Sequence, residues 1–454
     1  MSVQKIPTAL GTEKIGKLLM QYAIPAIIAM TASSLYNMVD SIFIGHGVGT
    51  LAISGLALTF PLMNLAAAFG SLVGVGAATL VSVKLGQKDY DTAQRVLGNV
   101  VILNVAIGIA FSIITLLFLD PILYFFGASE DTIGYARDYI KIILIGNVVT
   151  HLYLGLNSVL RSAGHPRQAM VATIATVVIN TILDPIFIFW FDWGIQGAAI
   201  ATIIAQVLAL LWLIRLFMNK NELIHFHKGI FRLKKSIVTA SLSIGMSPFM
   251  MNMAATVVVL LINQGLKEHG GDLAIGAYGI VNRLVFLFLM VVMGLNQGMQ
   301  PIAGYNFGAQ LYPRVTRVLK LTIYIATGIT TAGFLMGMLI PRLAVSIFTS
   351  DAEMIDLAAR GLRIVVIFFP FVGFQMVTSN FFQSIGMAKK AIFLSLTRQV
   401  LFLIPCLLIL PGIFGATGVW MSMPVADFVA TIAAAIMLWR QFRSFKRATP
   451  LYSN

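Results

Sequence analysis

Asp40 stands in SLYNMVDSIFIGHG (residues 34–47) and Asp184 in NTILDPIF (180–187), and both stretches are otherwise apolar enough to cross a bilayer. A carboxylate in such a segment is costly and as a rule faces a bundle interior or a watery cavity, so each is a candidate functional group. Asp40 lies six residues before His46, at the outer end of its segment, and Asp184 lies eight before Asp192 at the end of another. At a rise of about 1.5 Å per residue, both sit roughly 9–12 Å below the outer face. Asn180, one turn before Asp184, shares its helix face, while Thr202 and Tyr139 each fall about eight residues into their own segments, at comparable depth. These five oxygen-bearing side chains can therefore meet in one pocket. Two carboxylates at low dielectric cannot both stay charged cheaply, so the pair is expected to exchange a proton or to take up a small cation. Asp40, Asn180, Asp184 and Thr202 form a hard-oxygen ligand set suited to Na+, and the same groups can bind and release H+. The sequence leaves that choice of coupling ion open and calls for no cofactor.

The elements that must position these groups are long apolar helices. The 454-residue chain is 58% hydrophobic and only 11% charged, with a mean hydropathy of +0.90, far outside the range of soluble domains. Apolar runs long enough to cross about 30 Å of hydrocarbon fall at 16–46, 51–83, 95–119, 131–160, 167–191 and 194–218. After the basic segment NKNELIHFHKGIFRLKK (219–235), six more fall at 237–267, 272–303, 313–341, 355–384, 389–411 and 415–441. The net charge of +14 marks cytoplasmic loops, not a nucleic-acid footprint: lysines and arginines crowd one set of loops, whereas HGVGT (46–50), FDWG (191–194) and PGIFG (411–415) have none. Both termini and the central linker are therefore expected in the cytoplasm. Lys5, Lys14 and Lys17 precede a first span without a small-residue cleavage pattern, which reads as a retained helix. Cys406 is the single cysteine, so neither an intramolecular disulfide nor a cysteine-based metal site can form.

The two sets of six spans resemble each other. At a spacing of about 222 residues, KLGQKDYDTAQRV (84–96) answers NFGAQLYPRVTRV (306–318), and RSAGHPRQA (161–169) answers QSIGMAKKA (383–391). WGIQGAA (193–199) answers PGIFGAT (411–417). Six spans per copy make both copies enter from the same side, a parallel repeat. The expected fold is an all-α membrane protein of 12 transmembrane helices in two six-helix bundles: an N-terminal lobe (1–218), a cytoplasmic linker (219–236) and a C-terminal lobe (237–454). Pro185 and Pro25 each remove a helical hydrogen bond and favour bends beside the acidic pair. The repeats differ in chemistry, since Asn263 and Ile404 stand where Asp40 and Asp184 would recur. The C-terminal half has its own buried charges, Arg283, Arg398 and Asp427; Arg398 and Asp427 flank the turn near residue 412 at similar distances and can pair across an antiparallel hairpin, with Arg283 as the alternative partner. His225 and His227 lack a third ligand and read as a solvated loop. The spacing of Gly70 and Gly74 reads as close helix packing.

The pattern IPAIIAMTASSLYNMVDSIFIG, the GQKDYDTA loop, the SVLRSAGHPRQAM turn and NTILDPIF together resemble the multidrug and toxic compound extrusion (MATE) family over nearly the whole chain, and most of all its prokaryotic DinF-like branch. The resemblance implies the MATE fold and a secondary active exporter of organic cationic or amphipathic compounds, exchanged for protons or sodium ions. It also implies that Asp40, Asn180, Asp184 and Thr202 match the cation-binding cluster of the N-terminal lobe, with Tyr36, Tyr139 and Asn157 in its polar network. An acid that another branch carries in the seventh helix is missing here, which speaks against a second ion site.

Met- and Phe-rich runs such as MSPFMMNM (246–253) and FFPFVGF (368–374) suit varied amphipathic small molecules. A flippase for lipid-linked saccharides shares the architecture but calls for a strongly cationic cavity. A channel does not need two lobes with a titrating pair, and an enzyme needs a nucleophile beside a base, which is not visible. The expected protein is a monomeric, multi-pass antiporter of the bacterial inner (plasma) membrane whose partners are its substrates and the lipid bilayer.

Overall fold

The computed structural model describes residues 8–448, apart from the side chains at positions 37, 38, 41, 42, 45, 46, 50, 53 and 272. Lys5, the side chain of His46 and the outer ends of the two expected lobes (1–7 and 449–454) lie outside the described residues. Among those described there are helices and no strand: α1 (Ala9–Thr12), α2 (Ile15–Gly47), α3 (Thr50–Gly86), α4 (Tyr90–Leu117), α5 (Leu119–Phe125), α6 (Ile133–Ile145), α7 (Asn147–Ser162), α8 (Pro166–Pro185), α9 (Gly194–Phe217), α10 (Lys235–Gly308), α11 (Tyr312–Leu339), α12 (Pro341–Ser346), α13 (Ala352–Val365), α14 (Phe369–Ser384), α15 (Ala388–Leu396), α16 (Ile404–Phe414) and α17 (Ala416–Ala448). Gly271, at φ 67°, breaks α10 into two spans. Wider π-helical turns, Ile186–Trp190 and Thr397–Leu403, follow α8 and α15.

Among the described residues ten helices are long and apolar enough to cross a membrane, and two bent pairs, α6 with α7 and α13 with α14, raise the count to twelve if each is one span. Each pair turns by 54°. The bends have local causes. At Gly146 a side chain would strike Ile203 of α9. Pro370 opens α14, and its ring cannot follow an unbroken helix.

The repeat is written into the backbone. Positive φ angles occur at Gly49 and Gly271, at Lys88 and Gln310, and at Gly164 and Gly386, each pair at the offset found in the sequence. Lys88 and Gln310 have φ values of 59° and 60°, so two dissimilar loops make the same left-handed turn into α4 and α11.

Two compact units form, but their boundary is not the linker. One takes in 28–249 with 1–12; the other takes in 13–27 and 250–454. Relative to the lobes expected on either side of the linker, 13–27 and 237–249 fall in the opposite unit. Glycines explain both placements. Gly76 and Gly245 meet the backbone carbonyls of Ser241 and Leu72, so that α3 and the start of α10 touch main chain to main chain. In the second unit Gly298 and Gly294 receive the backbone of Ala23 and Ile27 in the same way. A methyl group at any of these glycines would overlap main-chain atoms.

The core of the first unit includes Ile44 of α2, Tyr139 of α6, Ile188 of the π-helical turn and Ala198 of α9. Packing of these four neighbours aligns the helices that carry the candidate site. The core of the second unit is built around Phe369, Tyr278 and Trp420.

Candidate functional site

The site forms where α2, α6, α8 and α9 converge. Gly47 at the end of α2 abuts Ile188 and Phe189, and a side chain at Gly197 of α9 would lie 2.8 Å from the carbonyl oxygen of Phe187. The lack of side chains there lets both helices close on the turn that follows α8. Pro185 has no amide hydrogen, and the chain beyond it widens into the π-helical turn Ile186–Trp190. Just outside, Phe187, Phe191 and Trp193 stack with ring centroids 5.2–5.7 Å apart, an aromatic cluster of the kind found at membrane interfaces.

Within this frame Asp40 and Asp184 are buried, at 5% and 0% exposure. Their carboxyl groups face each other within hydrogen-bonding reach. Asn180 Nδ2 donates to Asp184 Oδ1 at 2.6 Å, the contact that the spacing of four residues allows. The hydroxyls of Tyr36 and Thr202 lie 3.0 Å apart, and Thr202 also donates to the carbonyl oxygen of Ala198 at 3.1 Å. Tyr139, fully buried, has its hydroxyl beside Thr202 and lies within electrostatic reach of both acids. Two oxygens are left over: Asp40 Oδ1 and Asp184 Oδ2 are buried without a donor. Buried polar atoms almost always have partners, so these two oxygens are where the cluster can receive a proton or a small cation. Among the described residues no group of three or more His, Cys, Asp or Glu could hold a metal ion. The donor set of two carboxylates, an amide and hydroxyls fits a proton or a small hard monovalent cation.

Asn157 is elsewhere. Its Nδ2 donates to the carbonyl oxygen of Ala169 at 2.9 Å, and Arg161 Nη2 donates to its Oδ1 at 3.2 Å. Tyr153 and Thr173 complete this second network, one helix turn from the end of α7. The structure thus joins Asp40, Asp184, Asn180, Thr202, Tyr139 and Tyr36 and leaves Asn157 apart.

In the second unit Arg398, on the π-helical turn Thr397–Leu403, forms a short ion pair with Asp427 of α17. Arg283 is exposed and is not the partner of Asp427. A buried histidine was not singled out by the sequence reading: His151 of α7 lies at 0% exposure with Nε2 2.9 Å from the carbonyl oxygen of Ala66. Its signal in the sequence is an ionisable side chain inside an apolar span. Gly74, in the glycine spacing noted above, would place a side chain 3.2 Å from Gly155 Cα.

The sequence matches the MatE family over residues 25–186 and 244–408. It is 30% identical over 423 residues to the multidrug export protein MepA of Staphylococcus aureus, covering 93% of each chain. The fold superposes on the MATE multidrug transporter DinF-BH with a TM-score of 0.89 and 35% identity over 97% of this chain and 98% of that one. It also superposes on an outward-facing MATE family transporter of the MOP superfamily with a TM-score of 0.91 over 98% and 99% of the two chains, at 23% identity; that second likeness is one of fold.

Proposed function

Because this chain belongs to the MatE family of multidrug and toxic compound extrusion transporters, we propose that it exports amphipathic or organic cationic compounds by antiport against H+ or Na+, coupled through Asp40 and Asp184. The family is one of membrane transporters, so the protein is a multi-pass transporter and its chemistry is binding and release rather than bond-making. The observation that carries the coupling proposal is the pair of buried carboxylate oxygens without donors, Asp40 Oδ1 and Asp184 Oδ2.

An ion entering this cluster satisfies both oxygens at once, and its departure restores two negative charges in a medium that solvates them poorly. The free energy of the cluster therefore differs strongly between its loaded and empty states, and that difference can bias a conformational equilibrium. Pro185 with its π-helical turn, and Pro25 within α2, are the places where the two carrying helices can flex. Tyr36, Thr202 and Asn180 hold the acids in register. Alternation between two lobes would then expose the substrate path to each side in turn. The charge bias of the loops supports cytoplasmic termini in an inner (plasma) membrane, and the presence of both halves in one chain supports a monomer.

The test uses purified protein in liposomes and a fluorescent organic cation, ethidium, under an imposed proton gradient and then a sodium gradient. The wild type should move the probe with one of the two gradients and so identify the ion. Asp40→Asn and Asp184→Asn should lose gradient-driven movement while keeping the wild-type melting temperature. Normal transport by both variants would overturn the assignment, and a wild type that moves the probe under neither gradient would favour a flippase for lipid-linked saccharides.

A further inference from the structure

The start of α11 and the end of α17 enclose a groove of about 610 Å³ within the second unit. Its cations are Lys320, Arg443 and Lys446, and among the described residues none of the three forms a salt bridge. No acidic residue lines it. Its floor is aromatic: Tyr312 and Phe445 stack with centroids 5.1 Å apart, and the Arg443 guanidinium lies 3.6 Å above the Trp439 ring. A second cavity of about 610 Å³ continues from it past Pro313, Thr316 and Lys320 to Arg317 and Tyr324. The positive charge is thus concentrated, held by aromatic rings and left without counter-charge.

The surface that leads away from the groove has the opposite character. Along α17, Ile432, Ile436 and Trp439 are 44%, 48% and 53% exposed. At helical spacing they lie on the same face as Arg443 and Lys446. On α11, Pro313, Thr316, Lys320 and Tyr324 follow one another at the same spacing, and Tyr324 is 71% exposed. The α17 stripe therefore runs from cationic at the helix end, through Trp439, to Ile436 and Ile432 in the span, and α11 sets Lys320 and then Tyr324 beside it. That order matches a phospholipid from phosphate through glycerol to acyl chain, and basic pockets between transmembrane helices beside such belts hold anionic headgroups.

We propose that this groove is a binding site for an anionic membrane phospholipid, whose phosphate sits among Lys320, Arg443 and Lys446 and whose acyl chains lie along Ile432, Ile436 and Tyr324. The lipid ties the end of α17 to the start of α11, which the protein itself joins there by ring stacking. Charge complementarity identifies the occupant: a zwitterionic lipid carries its own cation into a site that already holds three.

The experiment is native mass spectrometry of the detergent-purified full chain with added dioleoylphosphatidylglycerol, with dioleoylphosphatidylcholine and inorganic phosphate as comparators. Wild type should retain phosphatidylglycerol in preference to phosphatidylcholine, and phosphate at equal concentration should not displace it. Each removed charge should weaken retention by about fivefold, so that Lys320→Gln/Arg443→Gln/Lys446→Gln loses on the order of a hundredfold. The charge-matched control Lys220→Gln/Lys228→Gln/Lys235→Gln should bind like wild type. If the triple variant does not fold, Lys320→Gln/Lys446→Gln, confined to two exposed side chains, takes its place with a loss of about twenty-five-fold. Equal retention in the groove variant and the control, or no preference over phosphatidylcholine, would overturn the proposal. Displacement by inorganic phosphate would also overturn it and assign the groove to a free anion.

Discussion

The last helix pair of each half carries buried polar chemistry, and the two pairs resolve it in opposite ways. In α8 and α9, Asn180, Asp184 and Thr202 gather beside Asp40 of α2, and two carboxylate oxygens remain without donors. In α15 to α17, Arg398 meets Asp427 and the charges cancel. Backbone geometry does not set them apart, because both halves share the left-handed turns at equivalent positions, the 54° bends and a π-helical turn near a proline. The scaffold was repeated and the chemistry was not. A matched ion pair fixes one arrangement of its helices, whereas an unmatched acid pair waits for an ion and can change state when it arrives. On the coupling proposed above, the ion-responsive chemistry belongs to the first half, and the second half has no counterpart to it.

The comparison breaks most decisively at the acids. Asp40→Asn and Asp184→Asn should each lower gradient-driven transport by more than about tenfold, and the double variant should be hardly worse than either single one, since the two act as a unit. A transport assay per folded molecule checks this. The next effect is on stability and belongs to the other half: Asp427→Leu leaves the half-buried Arg398 without its partner, at a cost of about 3 kcal/mol. Arg398→Leu/Asp427→Leu should recover most of the loss, and thermal unfolding in detergent measures both. Near-normal transport by the folded double variant would sharpen the contrast between the halves.

The glycine contacts come third. Gly76→Ala and Gly298→Ala place a methyl group against main chain in equivalent positions of the two units, and overpacking of this kind costs about 1–3 kcal/mol. Similar falls in melting temperature for the two variants would show that the exchanged segments are held alike.

The smallest effect concerns the loops. Burial works against the charge on Asp89, but the hydroxyl and amide of Thr92 and the ammonium of Lys84 hold its carboxyl below the usual carboxylate range. It caps α4 through the Thr92 amide at 3.2 Å, while Leu311, its counterpart before α11, makes no such bond. Asp89→Ala should cost about 1 kcal/mol at neutral pH. A depressed pKa in the folded state gives stability that is present above the unfolded value of about 3.9 and lost as pH falls through the folded value. The gap between wild type and variant should therefore close in acid, as a pair of melting curves against pH would show.

Much of this was legible in the sequence because a helix has a constant rise. Counting residues from the turns puts Asp40, Asp184, Thr202 and Tyr139 at comparable depth and sets Arg398 level with Asp427, while Arg283 stays open as an alternative until the structure pairs Arg398 with Asp427. Tyr36 came from the family resemblance and stands in the cluster; Asn157 came from the same source and stands in another network with Arg161. Resemblance transfers a residue type to a position, but only depth and helix face decide what it meets. The placement of 13–27 and 237–249 was not legible, since both stretches belong to unbroken apolar helices and nothing in their composition says which bundle receives them. The signal lay in Gly76 and Gly298, two glycines at the repeat offset whose partners are visible only in three dimensions. The 54° bends were hidden for a similar reason: apolar character continues across Gly146 and across the residues before Pro370.

The central claim is that Asp40 and Asp184 share one exchangeable ion while Asp427 does not. Infrared difference spectroscopy of the purified protein, recorded as pH is swept with and without sodium, reads carboxyl groups directly. The account predicts a carboxyl band that responds to one of the two ions, disappears in both Asp40→Asn and Asp184→Asn, and survives in Arg398→Leu/Asp427→Leu. A band that persists in both acid variants, or that is lost with the Arg398–Asp427 pair, would contradict it.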